Sequence, residues 1–151
     1  MDIGVWRYLQ NDNQGLAHTF FLWYGYKKNM EGMDLRVINF PDKVFKKYLV
    51  DSFDKDGDGE ISLTEALTIT KVLCPQKGIK SISGIEYLSN LEVLDCSKNE
   101  IEDIDISKNR NLKHLSCYSN PIYTLNIKDN PLLITLYCGN CNIGELDCSQ
   151  N

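Results

Sequence analysis

Six positions within twelve consecutive residues, "DKDGDGEISLTE" from Asp54 to Glu65, have the chemistry of a hard-cation loop. Asp54, Asp56 and Asp58 put carboxylates on alternate positions, Glu60 offers a backbone carbonyl, Ser62 a hydroxyl, and Glu65 a carboxylate that can bind through both oxygens. Gly59 stands sixth, where the turn excludes a Cβ, and Ile61 stands eighth, where an apolar side chain can anchor the loop to a core. Acidic groups crowded into one turn repel each other, and a cation taking about 6 to 8 oxygens relieves that repulsion. Calcium is the expected ion, because the smaller octahedral shell of magnesium would leave part of the loop unused. A plain solvated acidic turn would leave the complete ligand series without a reason.

The second candidate chemistry is sulfur. The chain has 6 cysteines, at 74, 96, 117, 138, 141 and 148, and none in its first 73 residues. "CGNC", Cys138–Cys141, has redox or zinc spacing, so a thiol redox protein is one alternative function. A redox pair favours a helix start and zinc needs a second pair of ligands, whereas Cys138 falls on an expected strand. In a parallel ladder neighbouring rungs are about 4.8 Å apart with side chains pointing the same way, whereas disulfide Cβ atoms lie about 3.5 to 4.5 Å apart, so bridging along the ladder would distort it. Cys74, Cys96, Cys117 and Cys138, with Cys148, are therefore expected to pack as small core residues.

The acidic loop needs elements to hold it. "LRVINF", Leu35–Phe40, alternates like a short strand, and Pro41 then opens "PDKVFKKYLVDSF". Val44, Phe45, Tyr48, Leu49 and Phe53 form one apolar helical face leading into Asp54. "SLTE" is a capping box from Ser62 to Glu65, starting a second helix expected over roughly residues 63–71. Pro75 and Gly78 rule out its continuation. Upstream, "AHTFFLWYGY", Ala17–Tyr26, is expected as a packed strand or hairpin.

From Val72 onward the chain repeats. "LEVLDCSKNEIEDIDISKNRN", "LKHLSCYSNPIYTLNIKDNPL" and "LITLYCGNCNIGELDCSQN" align with a period of 21, superimposing Leu94, Leu115 and Leu136, then Cys96, Cys117 and Cys138. Ile101, Ile122 and Ile143 follow, then Ile104, Leu125 and Leu146. An earlier unit (Val72, Cys74, Ile79, Ile82) precedes its equivalents by 22. Asn99 and Asn120 leave the strand at equivalent places, where their amides can satisfy turn backbone groups as a stacked ladder; Cys141 takes that place in the last unit.

The pattern LxxLxCxxNxI resembles the leucine-rich repeat, specifically the 21-residue cysteine-bearing repeats of bacterial surface proteins such as some internalins. The stretch from "INFPDKVFKKYLVDSFDKDGDGEISLTEAL" through "LEVLDCSKN" also resembles the start of leucine-rich-repeat proteins with an EF-hand-like cap. The resulting expectation is an α/β solenoid: residues 1–36 outside the resemblance, an EF-hand-like calcium cap at 37–71, and about four parallel-strand repeats at 72–151. The resemblance implies a bacterial, extracellular or cell-surface setting. It implies a noncatalytic interaction module, with calcium ordering the cap that covers the first repeat; a calcium-responsive regulator is the other alternative.

Alternation turns Val93, Asp95, Ser97, His114, Ser116, Tyr118, Thr135, Tyr137 and Gly139 onto the outer sheet face, which repeat proteins use for ligands. Aromatics among small polar residues suit a protein or glycan partner, with Tyr118 and Tyr137 as first anchors. The net charge of -5 disfavours nucleic acid. No apolar run approaches the ~20 residues of a membrane span, and the acidic start lacks the features of a secretory leader. Neither His18 nor His114 has a nucleophile and an orienting acid beside it in sequence, so no enzyme is expected. The array reaches Asn151 without a polar capping unit, an expectation of further repeats or of self-association through that end.

Overall fold

The computed structural model describes residues 36–149 and 151; the strand or hairpin expected at Ala17–Tyr26 lies outside them. Helix α1, Lys43–Phe53, starts where Asp42 Oδ1 accepts from the amides of Val44 (2.8 Å) and Phe45 (2.9 Å). Its core-facing line is Phe45 and Leu49, both fully buried, flanked by half-buried Tyr48, Val50 and Phe53. Val44, expected on that face, lies on its flank and stays exposed.

Helix α2 is short, Leu63–Ala66, not the helix to residue 71 that the capping box suggested. The box forms, but Thr68 and Ile69 close it with tightened bonds to the carbonyls of Glu65 (2.8 Å) and Ala66 (3.1 Å). By Thr70 the chain must be extended, because its carbonyl accepts from Glu92 and Val93 of the next unit. The β-branched run Thr68-Ile69-Thr70 favours that change.

Four short strands follow: β1 Lys71–Leu73, β2 Val93–Asp95, β3 His114–Ser116 and β4 Thr135–Tyr137. They form one parallel sheet in chain order, pairing Lys71 with Val93, Val93 with His114, and His114 with Thr135. Those pairs are 22, 21 and 21 residues apart, the offsets of the repeat alignment. Leu94, Leu115, Cys96, Cys117, Ile101 and Ile122 are buried in a single core that also holds Phe45, Leu49, Ile61, Ala66 and Ile69. The helix-loop-helix and the first rung therefore share one hydrophobic interior.

Three contacts join them. The Tyr48 hydroxyl accepts from the Leu73 amide at 2.8 Å, closing the outer edge of β1. Asp42 Oδ2 accepts from the amides of Lys80 (2.8 Å) and Ser81 (3.1 Å), so one carboxylate ties the start of α1 to the first rung. Burial pushes the Asp42 carboxyl up, but amide bonds from Phe45, Lys80, Ser81 and Val44 outweigh it and hold the group below its ordinary value. Phe40 presses on Gly84, whose φ is +101° and where a Cβ would stand 2.4 Å from the Phe40 ring.

Each rung turns through a left-handed residue: Gln76, Lys98, Ser119 and Asn140 have φ of 54° to 56°. Beside that turn the expected asparagine ladder is present. Asn99 donates to the carbonyls of Cys74 and Cys96, and Asn120 to those of Cys96 and Cys117, all at 2.9 Å. A second asparagine ladder, absent from the repeat alignment, stands at another phase of the repeat. Asn109 donates to Ile85 and Leu88, Asn130 to Ile106 and Asn109, and Asn151 to Ile127 and Asn130.

At the far end Leu136, Cys138, Ile143 and Leu146 are only partly buried. Cys148, expected in the core, is exposed. Its equivalents Ile106 and Ile127 are covered by the next rung, and no described residue plays that part for Cys148.

Candidate functional site

Asp54 ends α1, and the chain then curls round its carboxylate. Asp54 Oδ1 accepts from Gly57 at 2.7 Å and Oδ2 from Gly59 at 2.9 Å. The two glycines have φ of +73° and +80°, the left-handed backbone that this curl requires. Asp58 donates its amide to Asp56 Oδ1 (3.2 Å), and Glu60 donates to Asp58 Oδ1 (2.9 Å). Asp54, Asp56 and Asp58 consequently bring one carboxylate oxygen each to within 4.8 Å of the others. The amide of Gly59 foremost, opposed by slight burial and helped by Gly57, Asp56 and Asp58, holds the Asp54 carboxyl below its ordinary value.

The other expected ligands are arranged differently. Glu65 is 7% exposed; its Oε1 accepts from the Lys55 amide at 2.8 Å and its Oε2 from the amide (2.9 Å) and hydroxyl (2.8 Å) of Ser62. It thus clips the second residue of the loop to the ninth. The Glu60 side chain leaves the loop for Lys46 Nζ, 2.7 Å away, so only its backbone carbonyl is available to an ion. An all-oxygen donor set on a loop already curled through two left-handed glycines fits a hard cation and suits no soft one.

Sequence reading missed what holds the far side of this loop. Ile61 is fully buried and its carbonyl accepts from Ile38 at 2.9 Å, while Leu63 donates to the Arg36 carbonyl at 2.9 Å. With the antiparallel bridge of Val37 to Ser62, residues 36–38 satisfy the loop's free backbone edge without a second loop. The alternation in "VINF", with Ile38 and Phe40 buried and Val37 and Asn39 exposed, was the available signal.

On the sheet, Val93, His114 and Thr135 form one cross-strand row and Asp95, Ser116 and Tyr137 another, while Ser97, Tyr118 and Gly139 follow the strands. Val93, Asp95, Ser97, His114, Ser116 and Thr135 are half-buried; Tyr118, Tyr137 and Gly139 are exposed, the tyrosines at 41% and 65%. His114 Nδ1 and Thr135 Oγ1 lie 2.6 Å apart across β3 and β4. Asp95 Oδ1 accepts from the Ser97 amide at 3.0 Å. The Tyr118 ring lies over Gly139, where a Cβ would sit 3.5 Å from it. Ile134, just ahead of Thr135, is 72% exposed.

The thiols behave as packing groups. Burial pushes Cys74 and Cys117 up to about 12 and Cys96 well above its ordinary value of 9.0. Burial, then the neighbouring Cys141 and Cys148, also raises Cys138. Cys141 Sγ donates to the Cys117 carbonyl at 3.3 Å, filling the place of the Asn99 and Asn120 amides. Alkylation of the native protein at pH 8 is expected to label Cys148 within minutes and to leave Cys74, Cys96 and Cys117 unlabelled until denaturant is added; mass mapping reads the sites. Because the folded values of Cys74 and Cys117 lie above the unfolded one, their contribution to stability is complete below pH 9 and is lost between pH 9 and about 12.

No helix among the described residues is long and apolar enough to cross a membrane. No protein-family model matches the chain. Over 70 residues, 46% of the chain, it is 33% identical to internalin J of Listeria monocytogenes serotype 4b (strain F2365), a stretch that makes up 8% of that protein. The fold matches the functional domain of InlJ from Listeria monocytogenes, described as including a cysteine ladder, with a TM-score of 0.70 and 31% identity, over 78% of this chain and 28% of that one. It also matches internalin InlF of Listeria monocytogenes strain 4b F2365, with a TM-score of 0.66 and 30% identity, over 71% of this chain and 32% of that one. The chain spans under a third of the length of these relatives. Parallel rungs of 21 residues on one continuous core, together with these likenesses, give the chain an internalin-like leucine-rich-repeat fold.

Proposed function

We propose that the protein is a noncatalytic interaction module in which an EF-hand-like loop binds calcium and the repeat sheet receives a protein or glycan partner. The carrying observation is the gathering of the Asp54, Asp56 and Asp58 oxygens within 4.8 Å, on a loop whose flanking helices share the first rung's core. The ion would be held by Asp54, Asp56 and Asp58, the Glu60 carbonyl, Ser62 and Glu65. When bound it would supply positive charge among crowded carboxylates, and the chain's own contacts carry that order onward, Tyr48 to Leu73 of β1 and Asp42 to Lys80 and Ser81 of the first rung. A bacterial surface or extracellular setting follows from the likeness to internalins.

Calorimetric titration with calcium chloride tests the metal reading. One site is expected, with a Kd between about 10⁻⁷ and 10⁻³ M, lost in Asp56→Ala; heat without saturation, or equal binding by the variant, would overturn it. For the sheet face, Tyr118→Ala with Tyr137→Ala is expected to abolish binding to glycan-array or surface-protein hits of the wild type, leaving the melting temperature unchanged. Hits that survive the double substitution place the partner elsewhere.

A further inference from the structure

Lys46 follows Lys43 by three residues on α1, and its side chain reaches the acidic loop. Its Nζ lies 2.7 Å from both carboxylate oxygens of Glu60, fourteen residues away, with each side chain about one-third exposed. Its neighbour Lys47 instead pairs with Asp51 one helical turn on, 2.8 Å apart and well exposed. The only cation inside the loop, Lys55, sends its Nζ to Thr68 at 3.2 Å. Lys46 is thus the cation that bridges the entry helix to the second half of the acidic loop.

We propose that the Lys46–Glu60 pair is a built-in counter-cation that clamps the loop when it is metal-free and holds down its affinity for calcium. This rests on the calcium reading above. Without an ion, the pair ties α1 to Glu60 and offsets repulsion from Asp54, Asp56 and Asp58. With an ion, the same ammonium is a like charge facing a divalent cation and weakens its binding. The pair therefore favours a preformed loop at the expense of tight binding, and removing Lys46 must move stability and affinity in opposite directions.

Calcium chloride titrations of wild type, Lys46→Gln, Glu60→Gln, the double variant and Lys47→Gln, at about 0.01 M and about 1 M salt, separate these effects; the Debye length falls from about 30 Å to about 3 Å between them. Lys46→Gln is expected to bind about three- to tenfold tighter at low salt, Glu60→Gln weaker by a similar factor, and the double variant and Lys47→Gln close to wild type. At high salt the differences should shrink towards nothing. In chelator, Lys46→Gln and Glu60→Gln should each melt about 1 to 3 °C lower. Wild-type binding with Lys46→Gln no tighter, or with Lys47→Gln matching it, overturns the inference alone. A wild type that takes no calcium overturns the calcium reading and the affinity role together, even if the loss of melting temperature in chelator persists.

Discussion

Saturating calcium is expected to raise the melting temperature by about 5 to 11 °C. A free concentration of about one hundred times Kd contributes about 2.7 kcal/mol, and in a domain of this size about 1 kcal/mol moves the midpoint by about 2 to 4 °C. Circular dichroism melts in calcium and in chelator read the difference directly. Asp56→Ala should erase the shift and leave the chelated protein close to wild type, because the Asp56 side chain is exposed and accepts from its neighbour Asp58. Glu65→Ala should erase the shift and also lower the chelated midpoint, because it frees the buried Ser62 amide and the Lys55 amide and removes the capping box. Amide exchange should show where order is lost: chelation should loosen Leu73 and Cys74 and leave Leu115 protected. Equal midpoints with and without calcium would sink the clasp role. A regulator that opens a groove fits poorly with these contacts, since α2 is four residues long and Ala66 and Ile69 are sealed into the common core.

The larger effect is expected inside the solenoid. Asn120→Ala should cost about 3 kcal/mol or more, measured by urea unfolding, because one amide serves several buried backbone groups. It donates to Cys96 and Cys117 and accepts from Ile101 at 3.1 Å, at 3% exposure. Alanine leaves those groups without partners and opens a void between rungs. Substitution of Cys141 by alanine, at the equivalent place, should cost well under half as much, because a thiol bond is weak and that rung is only partly buried. A loss under about 1 kcal/mol for Asn120→Ala would show that the ladder is decoration on a core that needs only its leucines.

What could be read without coordinates was whatever repeats along the chain. Leu94 over Leu115, and the one-residue slip between Val72 and Leu94, fix the register because a single-residue error would turn every inward side chain outward. The second asparagine ladder was legible by the same arithmetic, since Asn109, Asn130 and Asn151 are spaced by 21. The capping box correctly marked where α2 begins but carried nothing about where it ends, because Thr70 is claimed by Glu92 and Val93 far along the sequence. The acidic loop showed its ligand types in order, yet not that Glu60 faces Lys46, nor that residues 36–38 line its edge. Contacts of that kind join segments with no shared period. Tyr48 reaching Leu73 is another, a hydroxyl placed by the tilt of a helix on a strand edge.

The left-handed residue that closes each rung has a consequence for how such a chain can change length. Lys98, Ser119 and Asn140 occur at one phase of the repeat with nearly the same backbone angle, and beside them Asn99, Asn120 and, through its thiol, Cys141 bond equivalent carbonyls. A cut at that phase, followed by loss or duplication of one whole unit, rejoins two matching half-turns. The sheet can then lengthen or shorten in steps of a single rung, with the helix-loop-helix at one end unaware of the edit. Between β2 and β4, an edit that is not a whole unit would misalign the amide columns.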